Sequence, residues 1–395
     1  VVAEEPLMEP SPVTRAVVLT VLFLPAAVIG AFAGALIGAI LGAAGDSGGG
    51  WAALGWGLLG AVIGIAAGAG LLGWVWATIC GRRRILPTLG LFLLAGAGSI
   101  GALVLISRVP GSDEDALRIA GIARALRALE PDVQDMGNLS GPGNPQSAPS
   151  GGFRHLAEVT AWNQAVFSAA LAALDAGRLP LLMGGDHCLA IGSISAAAQH
   201  CRQRGRRLKV LWLDAHADAN TPASSPSGNL HGMPVACLLG HGPARLTALA
   251  GPGTAPALQA QQITLIGVRS VDATEKRFVN AQGIEVYDMR SIDELGMRSV
   301  MQAALADVDE NTHLHLSFDM DGLDPTIAPG VGTPVRGGPT YRETQLCMEM
   351  LADSGALGSV DVMELNPALD VRNQTAELAV DLLESLFGKS TLMRA

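Results

Sequence analysis

The chain has 395 residues, of which 49% are hydrophobic and 16% charged, and its formal net charge is −10 at pH 7. This length allows one large domain or two with a sizeable buried core. The acidic balance argues against a nucleic-acid partner, because phosphate binding needs a basic face, and it suits a cationic small molecule better. The five cysteines include no CxxC pair, so neither a disulfide framework nor a zinc knuckle is indicated.

The charged residues are unevenly distributed along the chain. Residues 1–110 contain five basic residues against four acidic ones, a charge of +1, which leaves −11 for residues 111–395. A nearly uncharged region rich in glycine and leucine therefore precedes an acidic one. We predict a tail at 1–15, a membrane region at 16–107 and a separate domain at 113–395.

The amino-terminal region contains two long apolar stretches, 16–45 and 51–80. Each is long enough to cross a hydrocarbon layer of about 30 Å as a helix, so both are predicted membrane spans and the lipid bilayer a predicted partner. Glycines recur at every fourth position in both stretches. This spacing favours close packing of two helices in lipid.

The segment 85–107 leaves two alternatives open: a third span, or an apolar run that ends in a strand, GALVLIS, at 101–107. Arg15 and the arginines at 82–84 flank the first two spans. The positive-inside tendency places both flanks in the cytoplasm, and two spans keep the domain at 113–395 there, which is the prediction we favour. A third span would move that domain to the outside.

From residue 113 the pattern alternates between helical and strand-like runs. A helix is predicted at 116–129 from its apolar spacing. Buried strands are predicted in the segments LPLLMG, LKVLWLD, QITLIGVR, GIEVYD, HLHLSFD and GSVDVMEL. This order predicts an α/β domain with a mostly parallel sheet covered on both faces, and a ligand crevice beyond the carboxyl ends of the strands.

Acids and imidazoles cluster where three of these strands end, in the segments GGDHC, DAHADAN and SFDMDGLDP. Alternate side chains of an extended segment point to one face, so these groups can converge. The set is His187, Asp214, His216, Asp218, Asp319 and Asp321. A single strand-end aspartate is commonly a helix cap, but three such motifs in order favour a site. Four converging carboxylates repel unless cations separate them, and oxygen ligands with some imidazole suit two Mn²⁺ ions.

Six segments together resemble the arginase branch of the ureohydrolase family: GGDHCLAIGS, DAHADANTP, SGNLHGMPV, SFDMDGLDP, GTPVRGGPTYRE and DVMELNP. The resemblance spans about residues 113–388. It implies a three-layer α/β/α domain, two Mn²⁺ ions per chain, and hydrolysis of a guanidino compound to urea and an amine by a hydroxide that bridges the metals. It also implies a homo-oligomer, a trimer or hexamer.

The resemblance implies a role for each ligand. One manganese would be held by His187, Asp214, Asp218 and Asp319, and the other by Asp214, His216, Asp319 and Asp321. His231 would shuttle protons, Asp218 could also accept a proton during the attack, and Glu364, with Thr333 beside it, would bind the guanidinium.

Substrate choice within the family depends on the other end of the pocket. Asn220 and Ser227 match positions that hold the α-carboxylate of arginine, with Asn229 and Ser225 as helpers. Asp272 and Glu275 match acids that face the α-amino group. Any one of these could be an ordinary loop residue, but together they favour L-arginine over agmatine.

The expected function is therefore manganese-dependent hydrolysis of L-arginine to L-ornithine and urea. The alternatives are agmatinase, guanidinobutyrase or formimidoylglutamase activity, or an inactive membrane-bound arginine sensor or scaffold. The sequence departs from the family pattern in its membrane region, in a shortened first strand and loop, and at Cys188, where a serine is usual.

Overall fold

The computed structural model describes residues 113–130, 132–143, 149–251 and 256–390. They belong to one compact unit, Pro110–Ala395. The predicted membrane spans at 16–45 and 51–80, the third segment at 85–107 and the strand at 101–107 lie outside the described residues. Within the described ranges, no helix combines the length and apolar character that crossing a membrane requires.

Six strands form one sheet, and every strand pairing in it is parallel. The strands are β1 (Leu181–Met183), β2 (Arg207–Leu213), β3 (Ile263–Ile266), β4 (Glu285–Tyr287), β5 (Thr312–Asp319) and β6 (Leu357–Met363). Each lies inside a segment for which the sequence predicts a strand, or within one residue of it, and together they confirm the predicted parallel α/β sheet. The apolar runs form strands here because β2, β3 and β5 are buried nearly throughout.

The strands lie in the order β1-β6-β5-β2-β3-β4. From β2 the chain adds β3 and β4 on one side, and it then returns to add β5 and β6 on the other side. The order therefore reverses between β2 and β5, which are neighbours over seven residue pairs. In open α/β sheets this reversal leaves a crevice beyond the carboxyl ends of the two strands.

Eleven helices are described. They are α1 (Asp113–Ala120), α2 (Ile122–Leu129), α3 (Leu156–Asp175), α4 (Ala190–Arg204), α5 (Pro234–Leu238), α6 (Ala244–Thr247), α7 (Ala273–Gln282), α8 (Met289–Leu295), α9 (Met297–Ala304), α10 (Tyr341–Asp353) and α11 (Gln374–Leu386). The single helix predicted at 116–129 is wrong in one respect, because Gly121 takes a left-handed conformation (φ 90°) that divides it. Amphipathic spacing continues across the break, which is why the sequence pattern does not reveal it.

The helices cover both faces of the sheet and produce two hydrophobic cores. One core joins α1, α2 and α8–α11 to the face of β5 that carries Leu314, Leu316 and Phe318. The other joins α3–α7 to the face of β2 that carries Val210 and Trp212. The domain is thus a three-layer α/β/α arrangement, and the crevice between β2 and β5 lies at the edge of its middle layer.

Candidate metal and substrate site

The acidic residues predicted from the sequence meet at the carboxyl edge of β2 and β5. Asp214 directly follows β2, and Asp319 is the last residue of β5. Both are 2% exposed or less, although each is a carboxylate. A buried carboxylate needs a compensating partner, so the next question is which groups surround them.

His187, in a 3₁₀ turn shortly after β1, lies among three of the carboxylates. Its Nδ1 atom is 2.9 Å from Asp319 Oδ2, 3.2 Å from Asp214 Oδ2 and 3.4 Å from Asp218 Oδ2. The histidine is itself 1% exposed. One nitrogen and three carboxylate oxygens therefore surround one small buried volume.

A second, overlapping group forms around His216. Its Nδ1 atom is 3.1 Å from Asp321 Oδ2 and 3.4 Å from Asp214 Oδ1. Asp214 thus offers one oxygen to each group. Five of the six predicted ligands form two adjoining clusters, each able to hold a metal ion. The sixth, Asp218, lies beside the first cluster, 3.4 Å from His187 Nδ1.

The local backbone explains the spacing of two residues in DAH and DMD. Asp214 Oδ1 accepts a hydrogen bond from the His216 amide at 2.6 Å, and Asp319 Oδ1 accepts one from the Asp321 amide at 2.7 Å. Each aspartate therefore caps the turn after its strand with Oδ1 while Oδ2 faces His187. The cap and the ligand interpretations of these residues are compatible.

Two of the site residues have a left-handed backbone, which is uncommon for residues other than glycine. They are Asp218, with φ 47°, and Glu364, with φ 61°. The Asp218 carbonyl accepts from the Val235 amide and the Glu364 amide donates to the Gly185 carbonyl, so flanking segments hold both conformations. Strained backbone maintained in this way is concentrated at functional sites.

The imidazoles hold their protons strongly in this environment. Burial opposes charge on His187, but its hydrogen bond to Asp214 and the charges of Asp214 and Asp218 outweigh burial and raise its pKa to about 9. His216 follows the same balance, with burial opposed by Asp214 and Asp321, and its pKa rises to about 11. Cationic character is thus favoured at the positions between the carboxylates.

The carboxylates, by contrast, cannot all stay ionised together. Burial, and then the charge of Asp214, raise the pKa of both Asp218 and Asp319 well above the usual value. Burial and the charge of Asp186 raise the pKa of Glu364 to about 8. Divalent cations would remove this repulsion, and four carboxylates with two imidazoles form a donor set that fits Mn²⁺.

Glu364 and Thr333 lie beside the two clusters. Glu364 Oε1 accepts from the His187 amide at 2.8 Å, and its Oε2 lies 4.0 Å from the position of a Cβ atom on Gly332. Thr333 Oγ1 donates to Asp321 Oδ2 at 2.8 Å. The two residues predicted to meet the guanidinium are therefore both tied to predicted metal ligands.

His231 faces a third cluster, formed with Asp186 and Glu364. Its Nδ1 atom lies 3.9 Å from Asp186 Oδ2. Asp186 is not among the residues predicted from the sequence, although it directly precedes His187. An exposed aspartate beside a ligand has an ordinary interpretation as a turn cap, and its carboxylate does accept from the Cys188 amide.

Comparison with known proteins supports this interpretation of the site. Residues 115–388 match the family model described as the Arginase family. A relative from Bacillus caldovelox named arginase is 44% identical over 281 residues, which cover 70% of this chain and 92% of the relative. An arginase of Brucella melitensis is 43% identical and is 91% covered. The chain belongs to the arginase family.

Solved arginase structures share the fold. The native arginase structure from Bacillus caldovelox aligns with a TM-score of 0.67 at 43% identity, covering 71% of this chain and 94% of that one. The Entamoeba histolytica arginase in complex with L-ornithine aligns with a TM-score of 0.65 at 31% identity, with 71% and 94% covered. Both alignments are consistent with a match confined to the carboxy-terminal region.

The residues predicted from the arginase resemblance to hold the amino-acid end form a neighbouring group. Asn220 Nδ2 donates to Asp272 Oδ2 at 3.1 Å, and Asp272 Oδ1 caps α7. Glu275 is buried and accepts from the Ala219 amide at 2.9 Å. Ser227 and Asn229 belong to the adjacent loop, in which the Asn229 amide donates to Ser227 Oγ. The structure thus brings Asn220, Asp272 and Glu275 together. The loop at 225–229, called the serine loop below, follows Asn220 closely in the chain.

Two supporting residues of the arginase site were not predicted. Trp212 stacks on His187 with ring centroids 4.0 Å apart, and its Nε1 donates to Asp214 Oδ2 at 2.9 Å. Ser317 Oγ is 2.9 Å from His187 Nε2. Both residues stand two positions before a ligand aspartate, so strand alternation places them on the ligand face. That alternation is the signal that could have identified them.

Proposed function

We propose that this chain is a manganese-dependent hydrolase that converts L-arginine to L-ornithine and urea. The observation that carries the proposal is the meeting of His187, His216 and three aspartates in two adjoining clusters, with Asp218 beside the first. Relatives named arginase, at 38–44% identity, support the substrate.

We assign the two clusters to two Mn²⁺ ions, with Asp214 and Asp319 as shared ligands. His187, Asp214, Asp218 and Asp319 would hold one ion, and Asp214, His216, Asp319 and Asp321 the other. Bound divalent ions would lower the pKa of water toward neutrality and supply a nucleophile without a serine or cysteine. The protein contributes the buried, negatively charged donor set and its fixed orientation.

Glu364 is proposed to bind the guanidinium of the substrate. Its left-handed backbone and its hydrogen bond from the His187 amide fix the carboxylate next to a predicted ligand. A carboxylate suits a guanidinium because the two can form charge-assisted hydrogen bonds. Glu364 would therefore orient the guanidinium carbon toward the two clusters, with Thr333 alongside.

His231 is proposed to carry protons to the leaving amine. Its side chain is 36% exposed, so its ring can exchange protons with solvent. Asp186 Oδ2 lies 3.9 Å from its Nδ1 atom. Asp218 could also accept a proton when the guanidinium is attacked.

The amino-acid end of the substrate is proposed to lie between two polar groups. Asp272 and Glu275 carry negative charge for the α-amino group. Asn220, Ser227 and Asn229, with Ser225, offer amide and hydroxyl groups for the α-carboxylate. A site built around a carboxylate discriminates against agmatine, which lacks it.

The test is to measure urea and ornithine released from L-arginine by the full chain loaded with Mn²⁺. Agmatine and guanidinobutyrate serve as parallel substrates. We expect L-arginine to have the highest kcat/KM by at least about 100-fold. A higher kcat/KM for agmatine or for guanidinobutyrate would refute the substrate assignment. If none of the three compounds releases urea, a sensor or scaffold is favoured.

We further propose that residues 16–80 anchor the chain in a bilayer as two spans, with the catalytic domain in the cytoplasm. The support is the apolar composition of the two stretches and the arginines that flank them. Protease treatment of sealed inside-out and right-side-out vesicles tests on which side of the membrane the catalytic domain lies.

A homo-trimer or hexamer is the proposed assembly, and sedimentation of the detergent-solubilised chain tests it.

A further inference from the structure

Arg154 lies next to the loop that is proposed to hold the substrate carboxylate. Its amide donates to the Gly228 carbonyl at 2.8 Å, and its Nε donates to the Ser227 carbonyl at 3.2 Å. Gly228 has φ +70°, and a Cβ there would lie 2.8 Å from the Gly152 carbonyl oxygen. The segment preceding α3 and the serine loop are therefore closely packed at this point. The guanidinium group of Arg154 lies where the two segments meet.

Several hydrogen-bond donors at this junction have no acceptor among the residues that the structure describes. Ser225 Oγ accepts from the Gly228 amide at 3.0 Å, and Ser227 Oγ accepts from the Asn229 amide at 3.2 Å. Within the described ranges neither hydroxyl donates to a protein atom, and neither Nη atom of Arg154 has a hydrogen-bond or carboxylate partner. Two hydroxyls and a cationic group with unused donors therefore belong to this loop and the segment packed against it.

Asn220, the other residue proposed for the carboxylate, is largely engaged elsewhere. Its Nδ2 donates to Asp272 and its Oδ1 accepts from Ser224 Oγ at 2.9 Å. Asp272 and Glu275 add negative charge on that side, which suits an ammonium group and disfavours a carboxylate. A cationic partner for the substrate carboxylate would therefore come from a different residue, and Arg154 contacts the serine loop through the Ser227 carbonyl.

We propose that Arg154 is a specificity-determining residue that supplies the positive charge recognised by the α-carboxylate of an amino-acid substrate. This inference rests on the proposed hydrolysis of L-arginine. Arg154 acts on binding and touches neither the guanidinium nor the metal clusters. Its removal therefore weakens binding of carboxylate-bearing ligands and leaves the chemical step intact.

The experiment compares wild type with R154Q and R154K in the full chain loaded with Mn²⁺. KM and kcat are measured for L-arginine, and agmatine is measured as a competitor of arginine hydrolysis. We expect R154Q to raise KM for arginine about fivefold to tenfold with kcat changed less than about twofold. The inhibition constant of agmatine should be unchanged, and R154K should recover part of the lost affinity.

Two further measurements separate charge from loop packing. Raising ionic strength should narrow the KM difference between wild type and R154Q, because a charge interaction is screened and a packing defect is not. R290Q serves as the matched control, since Arg290 is 83% exposed on α8 and pairs with Glu294. R290Q should leave KM for arginine and the inhibition constant of agmatine unchanged.

An unchanged arginine KM in R154Q overturns the role of Arg154, as does a parallel loss of agmatine affinity or a difference that salt does not reduce. A wild-type chain that releases no urea from arginine defeats the proposed function instead. In that case calorimetric binding of L-arginine to wild type and R154Q still decides whether Arg154 recognises the carboxylate.

Discussion

The sheet carries two buried polar clusters, one at the carboxyl end of β5 and one nearer its amino end. The second is a chain of hydrogen bonds: His313 Nε2 to Ser359 Oγ at 2.9 Å, Ser359 Oγ to His315 Nδ1 at 2.7 Å, and His315 Nε2 to Asp361 at 3.0 Å. Ser193 Oγ donates to the same Asp361 oxygen at 2.6 Å. These polar groups satisfy one another, and the cluster contains a single carboxylate.

The cluster at the carboxyl end differs chiefly in charge. Four aspartates surround two histidines there, and burial with mutual repulsion raises the pKa of Asp218 and Asp319. A closed polar network needs no additional component, whereas an excess of buried carboxylates indicates a site completed by cations. The comparison therefore identifies the cluster nearer the amino end of β5 as structural and the cluster at its carboxyl end as functional.

The largest effect is expected from Asp319→Asn. This change removes one shared ligand, so urea production should fall by about 10³-fold or more. In the metal-free protein it also removes a repelling buried charge, so the melting temperature should not fall. Wild type should gain about 2.7 kcal/mol of stability at a Mn²⁺ concentration 100 times the Kd, and the variant should not. Differential scanning calorimetry with and without Mn²⁺ measures both effects, and a full Mn²⁺-induced gain in the variant would contradict the assignment.

His315→Ala is expected to affect stability and not the reaction. It leaves Asp361 buried with only Ser193 as a side-chain partner, which should cost about 3 kcal/mol in the free energy of unfolding. KM for arginine should stay within twofold of wild type. Urea denaturation and steady-state kinetics provide the readouts. The matched variant His315→Leu/Asp361→Leu should recover much of the loss. A large change in KM would mean that the two clusters are not separate.

Trp212→Phe tests the support given to the ligands. Phenylalanine keeps a ring against His187 but loses the hydrogen bond to Asp214, so Mn²⁺ affinity should fall about tenfold. Calorimetric titration of the metal-free protein measures the change. Trp162→Phe is the control, because the Trp162 indole donates to the Pro142 carbonyl and to none of the six ligands. Equal Mn²⁺ affinity in wild type and Trp212→Phe would show that the indole does not orient Asp214.

The smallest effect concerns pH and His313. Burial, followed by the charges of His315, Arg206 and His200, lowers the pKa of His313 to about 3. The folded state therefore favours the neutral ring. Its contribution to stability is complete above the unfolded pKa of about 6.5 and is lost as the pH falls from there toward 3.

At pH 5.5, one unit below the unfolded pKa, this loss amounts to about 1.4 kcal/mol relative to pH 7.5. His313→Gln should remove that part of the pH dependence, which chemical denaturation at the two pH values measures. The Ser359 hydroxyl, the neutral group that contacts the ring, does not titrate in this range. An identical pH dependence in the two proteins would refute the role of His313.

Much of the fold could be predicted because buried parallel strands form continuous apolar runs. The six segments with such runs all contain strands of the sheet. The ligands could be predicted because acids and imidazoles cluster where β2 and β5 end, and the six predicted ligands do converge. The predicted alternation of an extended segment is not what brings them together, because β2 ends at Leu213 and Asp321 lies in a 3₁₀ turn. The break at Gly121 could not be predicted, since a glycine inside an amphipathic pattern is compatible with a continuous helix.

The residues that were missed act through three-dimensional neighbours. Trp212 reads as an ordinary core residue of β2, and its stacking on His187 depends on the pairing of distant segments. Arg154 stands 73 residues before the serine loop that it contacts. Asp186 meets Glu364 only because β1 and β6 are neighbours. Sequence spacing records the face of a strand, but it does not record which strands are adjacent.

The central claim is that the carboxylates after β2 and β5 bind a pair of divalent cations, and manganese stoichiometry tests it most directly. The full chain is stripped of metal, dialysed against Mn²⁺ and analysed for bound manganese per chain, with Asp214→Ala in parallel. We predict two ions per wild-type chain and a marked loss in the variant. A wild-type protein that retains no manganese, or a variant that retains as much as wild type, would contradict the account.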